Sequence, residues 1–281
     1  MKERTVIVPA KINLTLDILG AAAGYHEIES LAASIDLVDA VTVCLQSEGF
    51  TLSETGIRAD CPFEKNNAVR AARAFFRKAG LRGGAAVSIE KHIPLGGGLG
   101  GSSADAAGVI SALCALCGMD AAFADEVAKE VGSDVNYMLR GGYAVMRGRG
   151  ERVEKINADT VLYLLVIVSG SVDTGSCYAL CDELKIPPVR GTARAAECLV
   201  RGDITALKGA LFNVMTEAAQ KLNGRIRENL AAIEAVGGKA VMSGSGGTVF
   251  GVFGSESARD AAFEKLRPLY GANVLKAKTL P

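Results

Sequence analysis

A chain of 281 residues, 49% of them apolar, has room for two ordinary domains and enough hydrophobic side chains for a buried core, which excludes a disordered chain. Its 31 Lys and Arg balance 31 Asp and Glu, so no net basic field draws it to nucleic acid or to an acidic membrane surface. The longest strongly apolar run, residues 161–168, has eight residues, far short of the roughly 20 that span a bilayer, and points to a soluble protein.

The opening stretch, TVIVPAKINLTLDIL, reads as strand. From Lys11 it alternates, with Lys11, Asn13, Thr15 and Asp17 set against Ile12, Leu14, Leu16 and Ile18. Successive side chains of a strand point to opposite faces, so Lys11 and Asn13 share one. Taken alone, a lysine in such a strand is more often an edge or snorkelling residue than a catalytic one. A turn over GAAAGYHEIES follows, where Tyr25 stands beside His26, one of only two histidines. That pair suits a ring-shaped ligand, or a plain surface turn. More strand (LAASIDLVDAVTVCL) leads to a helix after Asn66, AVRAARAFFRKAG, closed by Gly80 where a C-terminal glycine is favoured.

The strand AAVSIEKHI then runs into Pro94 and the segment Leu95, Gly96, Gly97, Gly98, Leu99, Gly100, Gly101, Ser102, Ser103, Ala104 and Asp105. Six of these eleven residues are glycine or alanine, and small residues let backbone approach a ligand closely. A helix from about Ser103, with serine and aspartate as N-terminal capping groups, adds free N–H groups and a dipole that favour an anion such as phosphate. The segment lacks the G-x-x-x-x-G-K-[ST] of a P-loop. Gly96, Gly98 and Gly101 satisfy G-x-G-x-x-G, which leaves a Rossmann dinucleotide site as an alternative. Against it, the preceding strand ends in proline and the Ser102-Ser103 pair goes unexplained. No H-R-D or D-F-G of a protein kinase follows.

Cys114 and Cys117 form a C-x-x-C inside the apolar helical pattern VISALCALCG. With no second pair at zinc spacing and both histidines remote, they read as core packing and not as a metal site. Seven cysteines, an odd number with no secretory signal, suit reduced thiols in the cytoplasm. A further helix, DEVAKEV, ends at Gly132, and Asp134 just after it reads as a cap or as a functional carboxylate. The turn RGRGE, solvated by its charges, closes this half.

The second half opens with the strand at 161–168 and continues in helical stretches broken by a loop at Pro187, Pro188 and Gly191. Then comes KAVMSGSGGTVFGVF, a strand, a small-residue loop and a strand, where Ser243 to Gly247 either cradle an anion or join the strands. Strands and helices mix without a strict βαβ repeat, which favours an α+β fold in two lobes.

Four of these segments stand in the order and spacing of one family. PAKIN near the start, PLGGGLGGSSAD in the middle, GSDVN some thirty residues later and SGSGGT near the end resemble the motifs of the GHMP kinases. Within that superfamily, G-Y-H after the first strand, KNNAVRAA before the glycine loop and G-x-G-E at Gly148 to Glu151 are similar to the branch whose substrate is a cytidine diphosphate-linked methylerythritol. The resemblance implies a ribosomal-protein-like N-terminal lobe, 1–157, and a ferredoxin-like C-terminal lobe, 158–281, with ATP and substrate meeting between them. It implies phosphorylation of the substrate's 2-hydroxyl in isoprenoid precursor synthesis.

By the same resemblance, Lys11 and Asp134 take the places of the catalytic pair, Asp134 accepting the hydroxyl proton while Lys11 keeps it ionised. Residues 95–105 match the ATP phosphate loop, Asn66 an asparagine near the adenine, and Ser103 a hydroxyl on the side of a Mg²⁺ bound with ATP. Tyr25 and Tyr178 match a sandwich around the cytosine, His26 a reader of its polar edge, and Asn13 and Thr174 substrate-side positions. Four positions depart from the usual motifs: Ser102 for a third glycine, Ala104 for serine, Asp173 for the serine of V-S-T, and Gly247 for proline. Homoserine- and mevalonate-type kinases are the nearest rivals, but their substrates offer no ring for Tyr25, His26 and Tyr178. A non-catalytic GHMP-fold binding protein would not need both Lys11 and Asp134.

Overall fold

The computed structural model describes residues 2–22, 24–57 and 61–281. They form two compact units, each assembled from separate stretches of chain. The first comprises Met1–Ala10, Leu37–Leu95 and Gly100–Gly141, and the second Lys11–Asp36, Gly96–Leu99 and Gly142–Pro281.

In chain order the elements begin with β1 (Glu3–Asn13), β2 (Thr15–Ala22), β3 (Tyr25–Gln46) and β4 (Gly49–Gly56). After these come α1 (Asn67–Ala79), β5 (Gly84–Lys91), α2 (Gly101–Cys117), α3 (Ala121–Val131) and α4 (Val135–Arg140). In the first unit, β5 runs antiparallel to the second half of β3, from Ala40↔Glu90 to Gln46↔Gly84, and parallel to β4. Helices α1, α2 and α3 pack against one another. Asn66 and Gly80 delimit α1: the Asn66 side chain accepts from the N–H of Ala68, and Gly80 takes the left-handed conformation at φ 63°. Nearly every residue of α2 from Ala104 to Leu113 is buried, as an apolar sequence without a polar face requires.

The remaining elements are β6 (Tyr143–Gly148), β7 (Arg152–Ile156), β8 (Tyr163–Val168), α5 (Thr174–Glu183), α6 (Thr192–Val200), α7 (Ile204–Ala210) and β9 (Phe212–Asn213). They close with α8 (Thr216–Leu222), α9 (Arg225–Ala235), β10 (Lys239–Ser243), β11 (Thr248–Phe253), α10 (Glu256–Tyr270) and β12 (Val274–Leu280). In the second unit the antiparallel order β10-β11-β8-β12 puts β8 between two neighbours. Its run of apolar residues without alternation is that of a strand covered on both faces. Leu165, Ile167, Met215, Met242, Phe253 and Leu266 belong to the core of this unit. The first half of β3 pairs with β2 and β6.

Three expectations from the sequence are corrected. The stretch GAAAGYHEIES is mostly strand: β2 runs to Ala22 and β3 opens at Tyr25, so Tyr25 and His26 sit in a hairpin ladder opposite Ala22 and Ala21. Helix α2 begins at Gly101, with Gly100 as an N-cap that has no side chain to offer. Ser103 and Asp105 therefore lie inside the first turns and not at a capping position, and Asp105 turns inward to an ion pair. Cys114 and Cys117 are half-buried and not core residues, because they fall in the last turn of α2. Burial still raises the Cys114 thiol to about 11 and raises that of Cys117, which leaves both protonated at neutral pH.

Candidate active site

The alternating strand around Lys11 is buried on both faces. Lys11, Asn13, Thr15 and Asp17 are as inaccessible as Ile12, Leu14 and Leu16, so each polar group there must find a partner. The Lys11 ammonium donates to Oδ1 of Asn13 at 2.7 Å, and the Asn13 Nδ2 donates to the Ser30 hydroxyl at 2.7 Å. Oδ1 of Asn13 also accepts from the N–H of Gly244 at 3.0 Å.

The glycine loop joins the same network. The Lys11 N–H donates to the Leu99 carbonyl at 2.9 Å. The Ser243 hydroxyl accepts from the N–H of Asn13 at 3.2 Å and donates to the Gly98 carbonyl at 3.1 Å. Gly98 has φ +77°, and a Cβ there would overlap the carbonyl oxygen of Ser243. The loop between β10 and β11 is thus a brace for the first glycine loop. Gly247, where proline is usual, has φ +92°, a conformation closed to a proline ring fixed near −65°.

In the first unit, residues 100–105 open α2. The carbonyl of Gly100 accepts from Ser103 and Ala104 at 3.0 and 2.9 Å, while the first N–H groups of any α-helix have no intrahelical acceptor. Ser102 is exposed and Ser103 half-buried. Asn67, overlooked in the sequence beside Asn66, donates to the Ser102 hydroxyl at 3.4 Å. Asn66 itself caps α1 at 2.9 Å from Ala68 N and donates to Glu54 at 3.3 Å. Asp134 precedes α4 in the N-cap position but does not cap it with its side chain. Lys11 belongs to the second unit and Asp134 to the first.

A buried charge cluster lies under the start of α2. Lys91 donates to Asp39 at 2.8 Å and to Asp105 at 2.5 Å. Asp39 also accepts from the N–H groups of His92 and Ile93 at 2.6 and 2.8 Å. Burial pushes Asp105 up to about 7 against the opposing pull of Lys91. Burial works to lower Lys91, but the two carboxylates outweigh it and raise its pKa. The second oxygen of Asp105, Oδ1, has no hydrogen-bond partner among the described residues.

The aromatic residues gather in the second unit. Tyr178 on α5 stacks on His26, centroids 4.4 Å apart and planes 14° from parallel. Tyr25 is exposed, with the Arg149 guanidinium 3.9 Å from its ring centre. Thr174 shares a hydrogen bond with Ser245 at 2.9 Å. Asp173 acts locally, capping α5 through the Ser176 N–H at 2.8 Å and taking the Ser176 hydroxyl at 2.7 Å. The Ser176 hydroxyl and N–H hold its pKa below the usual carboxylate range.

Asp182, Asn67, Arg149 and the Lys91–Asp39 pair do not stand out in the sequence. Asp182 alone carries a readable signal, one helical turn beyond Tyr178 on the same face.

The family described as GHMP kinases N terminal domain matches residues 66–144, and that described as GHMP kinases C terminal matches 195–272. The 4-diphosphocytidyl-2-C-methyl-D-erythritol kinase of Pelotomaculum thermopropionicum is 37% identical, covering 92% of this chain and 92% of its own. That of Alkaliphilus metalliredigens is 32% identical over 96% and 94% of the two chains. A crystal structure of 4-(cytidine 5'-diphospho)-2C-methyl-D-erythritol kinase superposes with a TM-score of 0.84 at 31% identity, covering 99% of this chain and 100% of that one.

Proposed function

Because the chain belongs to the 4-diphosphocytidyl-2-C-methyl-D-erythritol kinases of the two-lobed GHMP fold, we propose that it transfers the γ-phosphoryl group of ATP to the 2-hydroxyl of 4-diphosphocytidyl-2-C-methyl-D-erythritol. This would place it in the non-mevalonate synthesis of isoprenoid precursors. The observation that carries the reading is a likeness over nearly the whole length of both chains to relatives of that one name. The matched stretches, 66–144 and 195–272, fall on either side of a boundary at 157/158, and we keep that boundary for the two family domains.

Phosphoryl transfer asks for in-line positioning and neutralised oxygen charge more than for covalent help. Residues 95–105 are assigned to the triphosphate: small residues let the backbone approach, and the first turn of α2 offers N–H groups. Asp134 is assigned as the base that takes the proton of the substrate hydroxyl. Lys11 supplies positive charge to the reaction, oriented by Asn13, whose carboxamide is occupied by Lys11, Ser30 and Gly244. A Mg²⁺ bound with ATP would neutralise phosphate oxygens, and the Ser103 hydroxyl, a hard oxygen donor of the kind Mg²⁺ accepts, is assigned to it. Tyr25, His26, Tyr178 and Thr174 are assigned to the cytidyl substrate, and Asn66 to the adenine side.

No helix among the described residues is long and apolar enough to cross a membrane. We place the protein in the cytoplasm, where its seven free cysteines would stay reduced. The test is a panel of alcohols offered with radiolabelled ATP. Label should pass to the cytidyl substrate and not to homoserine or mevalonate. Transfer to mevalonate with none to the cytidyl alcohol would overturn the assignment.

A further inference from the structure

His26 presents its Nε2 to both carboxylate oxygens of Asp182, at 2.9 and 3.1 Å. Its ring face lies on Tyr178. Tyr178 and Asp182 stand one turn apart on α5, so one helix holds the imidazole by a face and by an edge. That helix is itself fixed, capped by Asp173 at its start and anchored by the buried Cys177 and Cys181. The other ring nitrogen, Nδ1, has no partner among the described residues, and the His26 side chain keeps 21% of its surface exposed.

A carboxylate only accepts hydrogen bonds, so the nitrogen facing it must carry the ring proton. In the neutral imidazole the remaining nitrogen is then a bare acceptor, and the partner of one nitrogen decides what the other can do. We propose that Asp182 is a positioning residue that sets base specificity. By holding His26 in the Nε2–H tautomer, it leaves Nδ1 to accept from the exocyclic amine of a cytosine. The same lone pair would meet the carbonyl of a uracil, acceptor against acceptor. This rests on the reading above that the corner of Tyr25, His26 and Tyr178 receives the cytidyl ring.

Replacing the carboxylate by an amide changes the sign of the contact. In Asp182→Asn the amide N–H group can donate to Nε2, which moves the ring proton to Nδ1 and gives the site a donor. Asp182→Glu keeps an acceptor and serves as the conservative control.

The experiment measures inhibition by CMP and by UMP against the cytidyl substrate in the unaltered protein and in both variants. Alongside it, ¹⁵N spectra of the two histidines report the His26 tautomer, with His92→Gln supplying the assignment. The unaltered protein should prefer CMP about ten- to a hundredfold, the effect of one unpaired polar contact. Asp182→Asn should bring the two nucleotides to within about threefold of one another, with the Michaelis constant for ATP unmoved. Asp182→Glu should restore most of the preference and the Nε2–H spectrum. An unaltered CMP preference in Asp182→Asn, or an Nδ1–H ring in the unaltered protein, overturns the role of Asp182 and leaves the cytidyl reading standing. If neither nucleotide competes in the unaltered protein, the cytidyl reading falls and this inference falls with it.

Discussion

Lys91 and Asp105 lie 2.5 Å apart, 1% and 6% exposed, and the same ammonium reaches Asp39 at 2.8 Å. One buried cation thus serves two buried carboxylates. Asp105 has its pKa raised to about 7 by burial, above the ordinary value of about 3.9 that it has in an unfolded chain. The native state therefore binds the extra proton between those two values. Stability from this group is full below about pH 4 and is lost as pH rises towards 7. Asp105→Asn should flatten the dependence of Tm on pH across that window and cost little at pH 7. Lys91→Met leaves Asp39, and above about pH 7 Asp105 as well, without a cation and should destabilise by about 3–5 kcal/mol. Calorimetry across pH 4 to pH 8 checks both, and a steeper slope in Asp105→Asn would contradict the account.

Gly98→Ala tests the loop. The added methyl group would overlap the Ser243 carbonyl at a backbone angle that disfavours any side chain. ATP affinity should fall by about tenfold or more while CMP still binds. Titration calorimetry with each nucleotide separates the two effects. Normal ATP binding by a folded variant would move the phosphate contacts elsewhere.

Asp134→Asn should lower turnover by about 10²–10⁴-fold, the usual contribution of a general base. Binding of ATP should hardly change, since nothing assigns Asp134 to the nucleotide. Single-turnover kinetics with radiolabelled ATP measure the step. A variant with half its activity would remove Asp134 from the mechanism.

Tyr25→Ala should raise KM for the cytidyl substrate roughly five- to a hundredfold, the loss of one base–aromatic stack, and spare KM for ATP. Tyr25 is exposed and touched by Arg149, so the substitution should leave Tm nearly unchanged. That separates lost binding from lost folding.

Much of this is legible in the sequence because it rests on local rules. Asn66 and Gly80 bracket α1 by capping chemistry, and the apolar run at 161–168 becomes a central strand. The hairpin at Tyr25 is not legible, since Gly20 to Ala22 have poor strand preference and only their pairing with β3 makes them a strand. Lys11 and Asn13 alternate like a half-wet strand, and no local pattern signals that both faces are covered. The pairing of Asp105 with Lys91 is hidden for a different reason. An aspartate near a helix start is usually a cap, and only tertiary burial turns this one inward. Asp173, which departs from the usual V-S-T, has a local role: it caps α5 through the Ser176 N–H.

The hydroxyl of Ser243 binds Asn13, 230 residues earlier in the chain, and Gly98, 145 residues earlier. A ribosome makes the opening strand and the glycine loop long before it makes the serine that fastens them. Until β10 has emerged, the loop is held by the Lys11–Leu99 backbone bond but lacks the Ser243 brace. Contacts so distant in sequence form late and slowly. A nascent chain halted before Lys239 should therefore gain less protection from added ATP than the finished polypeptide, which limited proteolysis of the two would measure.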